Sequence, residues 1–319
     1  MDVIRCEGLT KSYGSTVAVD GLDLSVSAGQ VFGFLGPNGS GKTTTMRMLL
    51  GLIGPSGGRA WLNGRELPDP EGLVHVGAMI EEPAFYPWMT GRRNLNVLAL
   101  CGPRPERSDA VSVVLDRVRL SDVADCKVKT YSQGMRQRLG LAVALLRDPT
   151  VLLLDEPTNG MDPAGIREFR GLLRSFADDG MTVFLSSHLL AEVAHVCDRV
   201  AVTNRGRLVE QGLVSELTTA RGRVRVVVAE SDQPAALSLL AGRSARSDGP
   251  NALLVDGASG RSVNSLLGQG GIWADEVVVE HPDLEEAFLR LTGGDTGGVV
   301  DGVSGANSNL EVAGAAASR

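Results

Sequence analysis

Two stretches of the chain have residue types and spacing that suit phosphate chemistry. The first, GPNGSGKTT over residues 36–44, is rich in glycine and follows the apolar run VFGFLG. Glycines let successive backbone N–H groups turn toward phosphates, and the N-terminus of a following helix favours an anion. Lys42 is expected to reach the β- and γ-phosphates of a nucleotide, and the Thr43 hydroxyl to bind Mg²⁺. The other residues expected to line the phosphates are Gly36, Pro37, Asn38, Gly39, Ser40, Gly41 and Thr44.

The second stretch, VLLLDEP over residues 151–157, places two adjacent carboxylates after four apolar residues. Because the apolar run predicts a buried strand, Asp155 and Glu156 are expected at its C-terminal edge, where ligands collect in open α/β sheets. Adjacent carboxylates near a phosphate need a divalent cation, so Asp155 is expected to hold Mg²⁺, directly or through water. Glu156 is placed to polarise an attacking water. The alternative is a solvated strand end that leads into a turn at Pro157.

The order of motifs resembles that of the ATP-binding cassette (ABC) ATPases over roughly residues 2–220. Besides the two stretches above, the resemblance rests on YSQGMRQRL, which begins at Tyr131, and on SSHLLAEV, which contains His188. It implies an α/β P-loop NTPase fold with a mixed sheet core, an antiparallel β subdomain and a helical subdomain over about residues 88–147. It also implies that the chain binds ATP and Mg²⁺ and hydrolyses the nucleotide.

The resemblance assigns roles to three further side chains. Glu156 corresponds to the general base of the family, and His188 to the switch histidine that contacts the γ-phosphate. Tyr13, in LTKSYG, corresponds to the aromatic residue that stacks on adenine, a contact worth about 1–3 kcal/mol. The alternatives are a helix-capping or buried neutral histidine, and a strand tyrosine that fills the core.

The segment YSQGM departs from LSGGQ, the commonest signature of the family, although Ser132 and Gly134 remain. A hydroxyl and an unobstructed N–H at a helix N-terminus can bind a γ-phosphate, and Gln133 lies between them. In the family this site faces the ATP of the other subunit, which implies a dimer, most simply a two-fold homodimer. Asp162 is expected at the same interface, or only as a helix cap before Pro163.

A second departure lies in VGAMIEEPAFYP, where Glu81 occupies the position of a glutamine near Mg²⁺ and the attacking water. A carboxylate can bind the metal and serve catalysis, but it adds negative charge beside the phosphates. This EEP variant resembles the subgroup that exports antibiotics or antimicrobial peptides. The aromatic residues beyond it, Phe85, Tyr86 and Trp88, are expected either to receive a helix from a separate membrane permease or to pack in the local core.

Composition limits the other classes of function. The chain has 319 residues and a net charge of −7, which argues against a nucleic-acid partner. No run approaches 18 uncharged apolar residues and no signal peptide is visible, so we expect that the chain does not cross a membrane itself. The resemblance implies that it lies at the cytoplasmic face of a membrane, bound through the permease. Four scattered cysteines without a CxxC pair do not suit structural disulfides or zinc.

Hydrophobic periodicity predicts the elements that position these residues. Alternation in residues 2–26 predicts antiparallel strands, and RAWLNGRE predicts a hairpin. Near-continuous apolar strands that alternate with helices predict a parallel sheet covered on both faces. The starts of helices in the helical subdomain are predicted from capping residues at Thr90, Ser108 and Ser121.

A composition shift near residues 218–223 predicts a domain boundary. We expect an ABC ATPase domain over residues 2–220 and a small α+β accessory domain over residues 221–291, which ends in a helix over residues 283–291. The Gly-, Ala- and Ser-rich residues 292–319 are predicted to form a disordered tail.

Rival functions follow from the same resemblance. A soluble ABC ATPase of translation, repair or cluster assembly is disfavoured, because the chain has one P-loop and no long coiled coil. A binding or resistance protein with little turnover is disfavoured by the intact Glu156 and His188. An importer subunit is the nearest rival within transport, disfavoured by the EEP segment and the C-terminal unit. Substrate selectivity is expected to reside in the permease.

Overall fold

The computed structural model describes residues 2–81, 84–101, 108–189, 193, 195–219 and 223–280. The strands are β1 (Asp2–Tyr13), β2 (Thr16–Ser27), β3 (Val31–Leu35), β4 (Gly57–Leu62), β5 (Arg65–Glu66), β6 (Val76–Met79), β7 (Val151–Leu154), β8 (Thr182–Ser187), β9 (Arg199–Asn204), β10 (Arg207–Leu213), β11 (Arg223–Val228), β12 (Ala245–Ser247), β13 (Ala252–Asp256) and β14 (Ala274–Glu280). The described α-helices are α1 (Lys42–Leu49), α2 (Gly91–Ala99), α3 (Ala110–Arg117), α4 (Gln133–Leu145), α5 (Pro163–Asp178), α6 (Val214–Thr219), α7 (Gln233–Leu240) and α8 (Gly260–Gln269).

The first sheet is antiparallel, with strand order β2-β1-β4-β5. Its long strands β1 and β2 pair along their length and bury alternate side chains, which confirms the prediction from residues 2–26. The predicted hairpin is also confirmed, because β4 and β5 flank Asn63 and Gly64. Both turn residues have positive φ, 52° and 78°, as a tight two-residue hairpin turn requires.

The central sheet has strand order β10-β9-β3-β8-β7-β6 and is parallel except for β10, which runs antiparallel to β9. Every residue of β3, β7 and β8 is buried. The carboxyl ends of parallel strands meet at one edge of a sheet. The glycine-rich loop, Asp155 and His188 each follow one of these three strands, so the fold gathers the predicted phosphate chemistry at a single edge.

The segment between β6 and β7 is mainly helical, as predicted, and α4 packs directly on β6. A Cβ at Gly77 would lie 2.3 Å from the carbonyl oxygen of Ala144, so only glycine allows this approach of helix to strand. Buried Leu95, Leu115 and Leu139 from α2, α3 and α4 join the core that also covers one face of the central sheet.

Three helix starts were predicted in this segment, and one is confirmed. The Thr90 hydroxyl accepts a hydrogen bond from the Arg93 N–H and caps α2. The prediction at Ser108 was wrong by one position, because the residue before α3 is Asp109. The prediction of a helix at Ser121 was also wrong. Only a single 3₁₀ turn, Ser121–Val123, follows Leu120, because the chain then returns to form a β-bridge with Thr90, the residue before α2.

Residues 223–280 form a third sheet, with strand order β12-β13-β11-β14 and antiparallel pairing throughout. Helices α7 and α8 cover one face over a core that includes Val224, Val226 and Leu253. The predicted helix over residues 283–291 and the tail over residues 292–319 lie outside the described residues, as do four of the nine residues of a helix that the sequence also predicts near residues 189–197. The domain boundaries stay a prediction. Within the described part of the chain, no helix is both long enough and apolar enough to span a bilayer.

Candidate nucleotide site

The glycine-rich loop connects β3 to α1, and buried hydroxyls fix its base. Gly41 precedes α1 with φ +96°, and a Cβ there would lie 2.5 Å from the Ala18 carbonyl oxygen, so the position requires glycine. The Thr203 hydroxyl donates to the Leu35 carbonyl at 2.9 Å and therefore accepts from the Ser40 hydroxyl at 3.1 Å. The other predicted loop residues lie between β3 and α1 or in the first turn of α1: Gly36, Pro37, Asn38, Gly39 and Thr44.

The Lys42 ammonium points back into the loop. Its Nζ donates to the carbonyl oxygens of Gly36 at 2.8 Å and Pro37 at 3.2 Å, and lies 3.4 Å from Glu156 Oε1. Lys42 is only 6% exposed, and a buried cation needs such partners because burial removes its hydration. Lys42 therefore places one positive charge in the loop. All of these partners are oxygen atoms that accept hydrogen bonds, and phosphate oxygens are acceptors of the same kind.

Asp155 is held between two hydroxyls. Thr43 Oγ1 donates to Asp155 Oδ2 at 2.6 Å, and Ser186 Oγ donates to Asp155 Oδ1. The same Ser186 oxygen accepts from the Glu156 backbone N–H at 2.9 Å. Hard divalent cations prefer oxygen ligands of this kind, and the juxtaposed hydroxyl of Thr43 and carboxylate of Asp155 fit Mg²⁺.

Glu156 has its backbone in the left-handed region, with φ +47°. Such a conformation in a residue with a side chain costs about 1–3 kcal/mol and persists only where the surroundings enforce it. Its Oε2 lies 2.7 Å from His188 Nδ1. Because a carboxylate oxygen accepts hydrogen bonds, Nδ1 carries the proton in this contact. His188 therefore contacts the carboxylate of Glu156, which lies 32 residues before it in the sequence.

Glu81 lies at the rim of the site and is paired with a cation that sequence reasoning missed. Its side chain is two-thirds exposed and forms a salt bridge with Arg47 of α1. Arg47 is four residues after Thr43, on the same face of α1, and this i,i+4 spacing is the signal that could have revealed it. The extra negative charge expected from Glu81 is therefore balanced locally.

An open cleft of about 470 Å³ lies beside these carboxylates. It brings Glu81, Asp155 and Glu156 together with Gln133 of the signature segment. Its described lining contains neither the exposed Ser132 nor the half-buried Gly134, which lie at the start of α4. The described lining residues are Glu81, Gln133, Gln137, Asp155, Glu156, Asn159 and Gly160.

The signature segment is fixed by a cap and by a buried tyrosine. The Ser132 hydroxyl accepts from the Met135 N–H at 3.2 Å and caps α4, so the predicted cap is present. Tyr131, which replaces the family's leucine, is 3% exposed and its hydroxyl donates to the Val123 carbonyl at 2.7 Å. Burial raises the pKa of the Tyr131 phenol. The departure from leucine is thus accommodated in the core, away from the exposed Ser132.

Two other predicted residues lie at the surface. Tyr13 ends β1 and is 50% exposed, with Lys11 Nζ 5.2 Å from its ring centre, so it does not fill the core. The Asp162 side chain accepts from the Gly165 N–H at 3.0 Å and caps α5, as one of its two interpretations predicted. The exposure of both residues leaves them accessible to a ligand or to a second subunit.

Comparison with known sequences identifies relatives over most of the chain. The ABC transporter family profile matches residues 19–159. An uncharacterized ABC transporter ATP-binding protein of Bacillus subtilis, YhcH, is 39% identical, covering 91% of this chain and 96% of the relative. The bacitracin transport ATP-binding protein BcrA of Bacillus licheniformis is 38% identical, covering 92% and 98%. A daunorubicin resistance ATP-binding protein of Streptomyces coeruleorubidus is 38% identical, covering 92% and 96%.

Solved structures share the fold over about two-thirds of the chain. A subunit of the ABC transporter complex cbiONQ from Clostridium perfringens is 28% identical with a TM-score of 0.61, covering 66% of this chain and 88% of that one. An ATP-binding cassette in its ADP conformation is 25% identical with a TM-score of 0.61, covering 68% and 92%.

Proposed function

The chain belongs to the ATP-binding proteins of ABC transporters, and from this premise we propose that it hydrolyses Mg²⁺-bound ATP as one half of a head-to-tail dimer. It is an ATPase subunit that energises the separate permease of an ABC exporter. One observation carries the proposal. At the carboxyl edge of the central sheet, the Glu156 carboxylate contacts both the Lys42 ammonium and the His188 ring.

Thr43 and Asp155 are the residues that would hold Mg²⁺, because their hydroxyl and carboxylate oxygens already lie in contact. The fixed orientation of Asp155 between Thr43 and Ser186 supports this assignment. Glu81 would add a third oxygen ligand from the rim, with its charge balanced by Arg47. Bound Mg²⁺ would neutralise charge that develops on the phosphate oxygens.

The chain's own residues account for the chemistry of hydrolysis. Lys42 exchanges its contact with Glu156 for the β- and γ-phosphates of ATP, to which backbone N–H groups of the loop also donate. Glu156 then accepts a proton from the attacking water as general base. His188 keeps the Glu156 carboxylate in place through Nδ1 and presents Nε2 to the γ-phosphate. Tyr13 stacks on the adenine ring at the open end of the site.

A second copy completes the site in this proposal. Ser132, Gln133 and Gly134 at the N-terminus of α4 bind the γ-phosphate held by the other subunit, and Asp162 lies at the same interface. The exposure of Ser132 and Asp162 supports this arrangement. Because each chain supplies one P-loop and one signature, two copies related by a two-fold axis give two complete sites.

A rigid pair of exposed aromatic residues offers a docking surface for the permease. The rings of Tyr86 and Trp88 lie 5.5 Å apart and are 45% and 63% exposed. The buried Asn94 amide accepts from the Tyr86 N–H and donates to its carbonyl, which fixes the segment. Phe85 differs, because it packs against the core. We assign Tyr86 and Trp88 to the permease contact, which would hold the chain at the cytoplasmic face of the membrane.

The relatives named for bacitracin transport and daunorubicin resistance support a cargo class of drugs, antibiotics or antimicrobial peptides. Bacteria that express this chain with its permease should therefore survive higher concentrations of such a compound. The same cells with Lys42→Ala should lose the protection. Equal survival of both strains at every compound tested would contradict export.

The enzymatic proposal is tested with Lys42→Ala, and Arg246→Ala, which removes a cation elsewhere, serves as the control. Removing the Lys42 ammonium deletes the direct cation on the phosphates, so ATP hydrolysis should become undetectable in the purified protein. Arg246 is 57% exposed and pairs with Asp256 on the third sheet, away from every residue assigned to phosphate binding, so its loss should leave the rate unchanged. Undiminished hydrolysis by Lys42→Ala would overturn the site.

A further inference from the structure

The Arg136 side chain lies in the first turn of α4 and donates to the residues on both sides of Ser132. Its Nη1 donates to the Tyr131 carbonyl at 2.7 Å. Its Nε and Nη2 both donate to the side-chain Oε1 of Gln133, at 3.2 Å and 2.8 Å. A single guanidinium therefore holds the backbone before Ser132 and the side chain after it.

Gln133 is one of the residues that depart from the usual signature, in which a glycine stands at this position. A side chain at the first residue of a helix can swing across the N-terminus, where an anion would bind. Arg136 holds this side chain, and Gly160 makes room for it, because a Cβ at Gly160 would lie 3.5 Å from Gln133 Cγ. The Gln133 side chain is thus kept against the loop that follows the carboxylates.

The charge of Arg136 has no counter-ion in the described part of the chain. No carboxylate there lies within ion-pair distance of its guanidinium, whereas Arg138, two residues further along α4, lies 3.6 Å from Glu168. Half-buried Arg136 donates to neutral oxygens instead. Its positive charge therefore adds to the helix dipole, which already favours an anion at the N-terminus of α4.

We propose that Arg136 is a positioning residue for the signature, which acts through Tyr131 and Gln133 on the ATP of the partner subunit. By holding the chain on both sides of Ser132, it keeps the Ser132 hydroxyl and the Gly134 N–H in one arrangement. Donors that are already ordered bind a γ-phosphate without the cost of ordering them. The inference rests on the proposed function of the signature and adds a residue to it.

Arg136→Met in the Glu156→Gln background tests this inference, because methionine is unbranched and apolar and has neither the charge nor the donors. The dissociation constant of the dimer in Mg²⁺ and ATP should rise about 10-fold or more, since hydrogen bonds from a charged group are strong. Affinity for ADP, which the proposal expects to bind the monomer, should not change. Arg138→Met is the matched control on the same helix: its contacts are the Arg119 carbonyl and Glu168, so both constants should stay the same.

A double-mutant cycle with Gln133→Gly separates positioning from a structural role. Glycine removes the side chain that Arg136 holds, so the loss caused by Arg136→Met should shrink at least about threefold. An unchanged dimer constant, weaker ADP binding, or equal losses in both backgrounds would each overturn the inference. Failure of the proposed function looks different, because Glu156→Gln with Arg136 intact would then form no dimer in ATP.

Discussion

At the scale of single residues, the Glu156 carboxylate is shared between the Lys42 ammonium at 3.4 Å and the His188 ring at 2.7 Å. Phosphates in the loop would compete for Lys42, whereas the contact to His188 remains available. We therefore expect Glu156 to lose one cation and keep one orienting partner when ATP binds. That exchange would leave the carboxylate free to accept a proton from water.

The ion pair between Glu81 and Arg47 yields a prediction about how charge at the rim of the site affects the rate of hydrolysis. Glu81→Gln should retain substantial hydrolysis, because the amide matches the family's usual residue, while Glu81→Ala should lose more. Arg47→Ala should lower the rate in the wild-type background and have little effect in Glu81→Gln, because no carboxylate then needs a counter-charge. Steady-state rates across a Mg²⁺ titration measure all four variants.

An exposed pair elsewhere provides the control for these substitutions. Arg59 lies 3.3 Å from Glu7 on the first sheet, so Arg59→Ala removes a comparable ion pair and should not change the rate. If both Glu81 substitutions leave the rate and its Mg²⁺ dependence as in wild type, Glu81 does not occupy the glutamine position and the alignment of this segment is wrong.

The residues that the sequence predicted and those it missed differ in a physical way. Lys42 and Asp155 belong to motifs whose neighbours along the chain already specify a loop or a strand end. Ser186 and Thr203 were missed because their roles arise from contacts with residues 31 and 163 positions away in the chain. Periodicity and spacing report local geometry, so contacts between distant segments leave no such signal.

At the scale of elements, burial decided which predictions succeeded. The wholly apolar run VLLL was located closely as the buried strand β7, and the long alternating run of residues 2–26 as strands β1 and β2. Strands β10 and β12 were missed, because β10 has only one buried residue and β12 is a three-residue edge strand. Edge strands contact neighbours on one side, so their sequences lack a strong apolar pattern.

The prediction at the scale of elements concerns the segment before α2, which carries the exposed aromatic pair Tyr86 and Trp88. Trp88→Ala removes an exposed aromatic residue of the kind that often dominates interfaces, at a cost of about 2 kcal/mol or more in binding. The purified variant should hydrolyse ATP at the wild-type rate by itself. It should bind the detergent-solubilised permease more weakly and show less stimulation by it.

Trp273→Ala is the control for Trp88→Ala, because Trp273 is 80% exposed on the C-terminal sheet unit. It should leave both basal hydrolysis and permease binding unchanged. Normal permease binding by Trp88→Ala would place the docking surface elsewhere. A reduced basal rate in that variant would show that the aromatic pair supports the ATPase fold instead of the interface.

At the scale of the whole molecule, the account requires two copies, because the exposed signature of one chain must reach the loop of the other. In the proposed closed dimer, each ATP joins Lys42 of one subunit to Ser132 and Gly134 of its partner. Loss of the γ-phosphate removes the charge that these donors hold, so hydrolysis should reopen the interface. The mass of the particle in solution therefore shows whether the ATP at the interface is intact or hydrolysed.

The central claim, that intact ATP joins two such sites and Glu156 destroys it, is tested by size-exclusion chromatography with light scattering on Glu156→Gln. Loss of the general base should slow hydrolysis about 10²–10⁴-fold, so this variant with Mg²⁺ and ATP should elute as a dimer. It should be a monomer with ADP, and adding Ser132→Arg should return it to monomer in ATP. A dimer that persists in ADP and in the Ser132→Arg variant would contradict the account, because another surface would then hold the subunits together.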